Sequence, residues 1–148
     1  MKNFRIFAFT FVLSFLGLVS ARAEANWLSD YRKAQEEAKV SHKLLLINFT
    51  GSDWCPWCLR LHREVFLTPE FEQYAKNNLV LLTADFPRAK PLSVEVRKQN
   101  AKLAERYAVQ GFPTIVVLNG EGKEVGLLGY LPGGPRAFIE ELKKLPKS

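Results

Sequence analysis

The strongest constraint on how this chain folds is its alternation of short apolar runs with longer amphipathic stretches. Residues 44–49 (LLLINF), 79–84 (LVLLTA) and 114–118 (TIVVL) are apolar runs of strand length. Their near-continuous apolarity is that of strands buried on both faces. Helix-length segments separate them. Asn26 reads as the cap of a helix reaching about Val40, with Trp27, Tyr31, Ala34 and Ala38 on one face. A helical pattern runs from Cys55 to about Phe66. Thr68-Pro69 then reads as a cap with proline at the first helical position, opening a helix through Lys76. After the loop at 86–92, residues 93–107 place Val96, Leu103 and Tyr107 on one face. Asn119-Gly120-Glu121-Gly122 signals a hairpin into a strand at 123–128, and Pro135 begins a last helix ending near Leu145. The order α-β-α-β-α-β-β-α predicts an α/β domain. Strands separated by helices are expected to pair in parallel and the final hairpin to be antiparallel, giving one mixed sheet of four to five strands with helices on both faces. At 148 residues, 47% hydrophobic and 24% charged, the chain supports one core and is neither collagen-like, low-complexity nor disordered.

The first segment is set aside from the fold. Lys2 and Arg5 precede the uncharged run 6–19, and Ala21-Arg22-Ala23 follows it. A positive start, a short apolar centre and an A-x-A end describe an export signal, with cleavage expected after Ala23. The run would span about 21 Å as a helix, short of the roughly 30 Å hydrocarbon core. Residues 24–148 are then expected to form the exported, soluble domain. Lys2, Arg5 and Arg22 leave with the signal, so 18 basic residues face 15 acidic ones, a balance of +3. No basic run or aromatic-interleaved basic patch points to nucleic acid.

Chemistry concentrates in Trp54-Cys55-Pro56-Trp57-Cys58, which holds both cysteines and opens a helix directly after a strand. At a helix N-terminus the first sulfur meets unpaired backbone N–H groups and the positive end of the dipole, which favour the thiolate. The second lies one turn inside, within reach of a disulfide. Pro56 costs no hydrogen bond there. Three other readings compete. A structural disulfide closing so short a loop contributes about 2 kcal/mol in the chain-entropy model, against roughly 4.7 for a 100-residue loop. A metal site would draw on Cys55, Cys58 and His62, with His42 as a fourth ligand, but lacks the second cysteine pair usual for zinc. Inert core cysteines fit poorly between tryptophan and proline.

With Cys55-Pro56-Trp57-Cys58 after LLLINF, Phe112-Pro113-Thr114 before TIVVL and Gly129 after the last strand, the chain resembles the thioredoxin superfamily over nearly all of residues 24–148. Glu64-Val65-Phe66 and Thr68-Pro69-Glu70-Phe71 also resemble those of exported, periplasmic thioredoxin-like reductases such as the DsbH type and the C-terminal domain of the transmembrane thiol:disulfide interchange protein. The resemblance implies a thioredoxin-like fold and a cis Phe112–Pro113 bond beside the disulfide. It also implies that Phe112 offers its backbone to an extended substrate, with Trp54, Trp57, Pro113 and Gly129 bordering the groove. No cofactor or metal is expected. Two positions depart from the family. Where thioredoxins carry a buried acid beneath the second cysteine and a lysine on the next strand, this chain has Asn48 and Leu81. Loss of both together avoids a lone buried charge. It also removes the usual proton acceptor for Cys58, a role His62, one helical turn on, is expected to fill in part.

The expected reaction is dithiol–disulfide exchange, with Cys55 as the exposed nucleophile and Cys58 as the resolving thiol. Pro-Trp between the cysteines offers the thiolate only an indole N–H, so a reducing potential on the order of −230 to −280 mV is expected. Oxidised proteins would be the substrates of a monomeric periplasmic reductase, and a membrane electron-transfer partner would recharge it. An oxidase or isomerase using the same cysteines, or a redox-silent binding module, are the alternatives.

Overall fold

A computed structural model describes residues 25–146, so the expected export signal lies outside the described residues. In chain order the elements are β1 (Trp27–Leu28), α1 (Tyr31–Ser41), β2 (Leu44–Thr50), α2 (Pro56–Leu61), a π-helical turn (His62–Phe66), α3 (Pro69–Asn78), β3 (Leu79–Asp85), α4 (Val94–Arg106), β4 (Thr114–Leu118), β5 (Glu124–Leu128) and α5 (Gly134–Lys143). The strands form one five-stranded sheet in the order β1-β3-β2-β4-β5. β2 is central and buried along its whole length, which is why its sequence lacks polar alternation.

β2 divides the core between the two faces. Leu44 and Leu46 point to one side with Leu61, Val65, Phe66, Phe71 and Phe138. Leu45, Ile47 and Phe49 point to the other, where Ala34, Ala38 and Leu103 cover them from α1 and α4. The period of two therefore turns Asn48 toward the face covered by α2. Phe66 is the hub of that side, with ring centroids 5.0 Å from Trp27, 4.9 Å from Phe71 and 5.7 Å from Phe138.

Two expectations about the framework are corrected. Asn26 does not cap the first helix. Asp30 does, its carboxylate accepting from the Lys33 N–H at 3.0 Å. Trp27 lies instead in a strand pairing parallel with β3, opposite Leu81. Its ring joins the Phe66 side of the core, away from the α1 face it was expected to share. The second correction concerns direction. β2 and β3 are parallel, but β4 runs antiparallel to β2 although a helix separates it from β3. Register gives the reason. β3 ends with Asp85 opposite Thr50, and β4 begins with Thr114 opposite Phe49. The chain thus re-enters the sheet at the end where it left. That route collects the loops after β3 and before β4 at the C-terminal end of β2, where the cysteines lie.

Candidate active site

The site grows from the turn after β2. The Gly51 carbonyl accepts from the Trp54 N–H at 3.3 Å and the Cys55 N–H at 2.9 Å. A side chain at Gly51 would put its Cβ 2.5–2.8 Å from the Trp54 indole, so only glycine fits there. Cys55 is the N-cap of α2, with extended backbone, and Pro56 follows in the first turn. The Cys58 N–H donates to Cys55 Sγ at 3.2 Å. The two sulfurs form a disulfide, with the Cα atoms 5.2 Å apart.

Exposure does not separate the two cysteines as expected: Cys55 is 3% exposed and Cys58 5%. A side chain that caps a helix folds back over the turn it caps, which covers Cys55 Sγ. What distinguishes Cys55 is the backbone N–H aimed at its sulfur. Trp57, between them, is 52% exposed.

Trp57 is flanked by a cluster the sequence reading passed over. Its ring lies 5.2 Å from that of Tyr130, and the Arg60 guanidinium sits 5.6 Å from Trp57 and 5.2 Å from Tyr130. Glu64 joins the cluster, accepting from Tyr130 Oη at 2.6 Å and Arg60 Nε at 2.7 Å. These two bonds, that from Tyr130 first, hold the Glu64 carboxyl below its ordinary range. The same carboxylate raises the Tyr130 phenol. Arg60 and Glu64, four apart on one helical path, were legible as a pair. Tyr130, 66 residues from Glu64, was not.

Trp54 is locked in place. Its Nε1–H donates to the Phe86 carbonyl at 2.8 Å, its ring meets Phe112 edge-on at 5.9 Å, and the Arg88 guanidinium lies 3.9 Å over its face. Phe86 stacks on Phe112 at 5.0 Å. The Phe112–Pro113 peptide bond is cis, and a Cβ at Gly129 would stand 3.7 Å from the Pro113 carbonyl oxygen. Phe112, Pro113 and Gly129 are all part-exposed at this end of the sheet. The loop after β3 is tied down by Asp53, whose carboxylate accepts from the N–H groups of Arg88, Ala89 and Lys90 at 3.0, 2.7 and 3.3 Å. Those bonds, that from Arg88 first, depress the Asp53 carboxyl. Asp85 likewise accepts from Ser52, through the backbone N–H at 3.0 Å and the hydroxyl at 2.6 Å.

Beneath the helix, a cavity of about 370 Å³ is lined by Asn48, Thr50, Cys58, His62 and Lys90 among others. Asn48 is buried, and its Oδ1 has no hydrogen-bond partner among the described residues. Across the sheet it faces Thr83, while Leu81 lies opposite Leu46. His62 is exposed and begins the π-helical turn, sharing the cavity with Cys58. His42 is elsewhere: it ends α1, ahead of β2, whose seven residues span about 23 Å. That distance removes it from any ligand set with the cysteines. Among the described residues, no group of three or more His, Cys, Asp or Glu side chains is placed to hold a metal ion.

A helix-capping disulfide at the C-terminal end of a central strand, beside a cis-proline turn, defines the class. Residues 31–146 match the family model described as a thioredoxin-like domain, and the chain belongs to that family. Within it the chain is 36% identical over 127 residues to the disulfide bond reductase DsbH of Chlamydia pneumoniae, covering 86% of this chain and 76% of that protein. A solved structure titled DsbH oxidoreductase superposes with a TM-score of 0.78 at 35% identity, over 82% of this chain and 84% of that one. The chain is also 30% identical over 110 residues to the thiol:disulfide interchange protein DsbD of Photorhabdus laumondii, covering 72% of this chain and 17% of DsbD's length. These relationships make the protein a thiol–disulfide oxidoreductase of the thioredoxin-like family, with Cys55 and Cys58 as its cysteine pair.

Proposed function

We propose that the protein is a periplasmic reductase of protein disulfides. The observation that carries the exchange chemistry is the Cys58 N–H bonded to Cys55 Sγ at the start of α2. In the reduced protein the same donor and the helix dipole favour a Cys55 thiolate. That thiolate attacks one sulfur of a substrate disulfide. The substrate S–S bond breaks, its other sulfur leaves as a thiolate and takes up a proton, and a mixed disulfide to Cys55 remains. Cys58 then loses its proton and attacks Cys55 Sγ, releasing the second substrate thiolate. Two electrons have passed to the substrate, and the Cys55–Cys58 disulfide is closed.

The remaining roles belong to the same proposal. The Phe112 backbone and Pro113 would receive the extended substrate, with Gly129 and Trp57 on one side and Trp54 bracing the other. His62 would take the Cys58 proton, since the two side chains share a cavity and the amide of Asn48 can accept a hydrogen bond but not a proton. Between cysteines separated only by Pro-Trp the thiolate gains little extra stabilisation, which favours the reducing direction. The name of the chlamydial relative, a disulfide bond reductase, supports the same direction. A reductase outside the cytoplasm has to be recharged, so a membrane electron-transfer partner completes the cycle. The enzyme would act as a monomer.

The test is the equilibrium potential of the Cys55–Cys58 pair against a dithiothreitol or glutathione series, read by tryptophan fluorescence. A value of about −250 mV or below is expected. A value near about −120 mV, that of a disulfide donor, would reverse the assigned direction.

A further inference from the structure

Charges around the disulfide are paired unevenly. The nearby acids are all engaged within the protein: Asp53 by three backbone N–H groups, Asp85 by Ser52, and Glu64 by Arg60 and Tyr130. Arg60 is answered by Glu64. Two cations in the loop after β3 have no ion-pair partner among the described residues. Arg88 is exposed and makes no ion pair, its guanidinium resting on the outer face of Trp54, next to Cys55 in sequence. Lys90 is also exposed and unpaired, and it lines the cavity beside Cys58. Neither is loosely carried, because Asp53 fixes the backbone from which both project.

We infer that Arg88 and Lys90 form a recognition surface for acidic residues flanking the disulfide of a protein substrate. The inference names the substrate class for the exchange reaction proposed above and rests on that reading. A carboxylate on either side of the substrate cysteine would replace the ion pair these cations lack. Two cations at about 10 Å from two substrate carboxylates change the encounter rate by about tenfold at low ionic strength. The effect fades as the screening length shrinks to about 3 Å in 1 M salt.

The experiment uses two oxidised peptides with the same disulfide loop, one flanked by two glutamates and one by two lysines. Uncharged hydroxyethyl disulfide serves as reference. The reduced protein is mixed with each, and closure of the Cys55–Cys58 disulfide is followed by tryptophan fluorescence. Dividing each peptide rate by the reference rate cancels any change in Cys55 reactivity. The acidic peptide is expected to react at least tenfold faster than the basic one at 20 mM salt, because attraction of one and repulsion of the other multiply, and less than threefold faster at 1 M. Arg88→Glu with Lys90→Glu should invert the ratio, and Arg88→Gln with Lys90→Gln should bring it near one. The neutral variant decides the matter if the reversed one fails to fold. A wild-type ratio within twofold at low salt, or a ratio unmoved in the variants, overturns the inference. Failure of the reduced protein to react with any of the three disulfides would instead refute the reductase reading. The oxidised protein and the corresponding thiols then pass through the same mixed disulfides, so the charge preference is still decided.

Discussion

Asn48→Leu tests the least comfortable feature of the core. Asn48 is 8% exposed and its Oδ1 has no hydrogen-bond partner among the described residues. If no partner replaces the water this carbonyl oxygen loses on folding, the cost is about 1–3 kcal/mol. Leucine has the same branching at Cγ and no polar atom. It would sit between Ile115 and Thr83 across the sheet, and the adjoining cavity of about 370 Å³ leaves room for its methyl groups. Some crowding offsets part of the gain, leaving a net stabilisation of about 1–2 kcal/mol, or roughly 4–8 °C in Tm for a domain of this size. Urea unfolding of both proteins in the disulfide form, with the m-value as control, measures it. The same substitution removes a polar wall beside Cys58. Breakdown of the mixed disulfide should slow several-fold, while its formation by Cys55 stays within about twofold. A variant less stable than the wild type by about 1 kcal/mol or more, at unchanged m, would refute the argument, because the amide must then be satisfied in solution.

Other perturbations separate chemistry from scaffold. Cys58→Ala should stop turnover and accumulate a stable mixed disulfide through Cys55, visible as an added mass; a trapped product on the other sulfur in a Cys55→Ala protein would reverse the assignment of roles. Phe66→Ala removes a ring that touches three other aromatic residues and should cost about 3–5 kcal/mol in urea unfolding; a loss under about 1.5 kcal/mol would mean that the cluster closes over the gap. Asp53 sets a pH response. Its folded value lies below the ordinary 3.8, so its hold on the loop is complete above that pH and is lost as pH falls through the depressed value. Protection of the Arg88, Ala89 and Lys90 amides, taken against their intrinsic exchange rates, should fall in the wild type as pH drops through the depressed Asp53 value. Asp53→Asn should show low protection at every pH, and wild-type protection that does not change through this range would show that Asp53 does not hold the loop.

Much of this architecture is legible because it is local. Thr68 accepts from the Phe71 N–H and Ser93 from the Val96 N–H, so both helices begin where cap residues stand in the sequence. The strands at LLLINF and TIVVL are buried nearly throughout, as their lack of alternation implies. Asn26 misled because asparagine and aspartate are equally good caps; what decides between Asn26 and Asp30 is the edge of β3, which claims Trp27 and Leu28 for the sheet. The direction of β4 was not legible either. Helix lengths limit what a connection can span, but only register shows that this one returns to the end it left. Asp53 reaches N–H groups 35 to 37 residues away. Backbone donors leave no mark on the side-chain pattern, so nothing in the sequence announces that contact.

The two tryptophans beside the disulfide show how the site divides its labour. Both flank a cysteine, and both carry a guanidinium on the ring. Trp54 has its N–H bonded, Phe112 at its edge and Gly51 beneath it. Its surroundings tie the cysteine turn to the loop after β3 and to the cis-proline turn, so three segments distant in sequence keep a fixed relation to Cys55. Trp57 is held only from one side, by Tyr130 and Arg60, and more than half of it meets solvent. A large aromatic surface left open beside a reactive sulfur is suited to contact a partner. The Glu64 carboxylate braces the residues behind it, so the ring need not be ordered at the moment of binding. The part-buried Trp54 thus fixes the segments around the cysteine turn, while Trp57 is the ring that the exchange proposed above would present to an incoming partner.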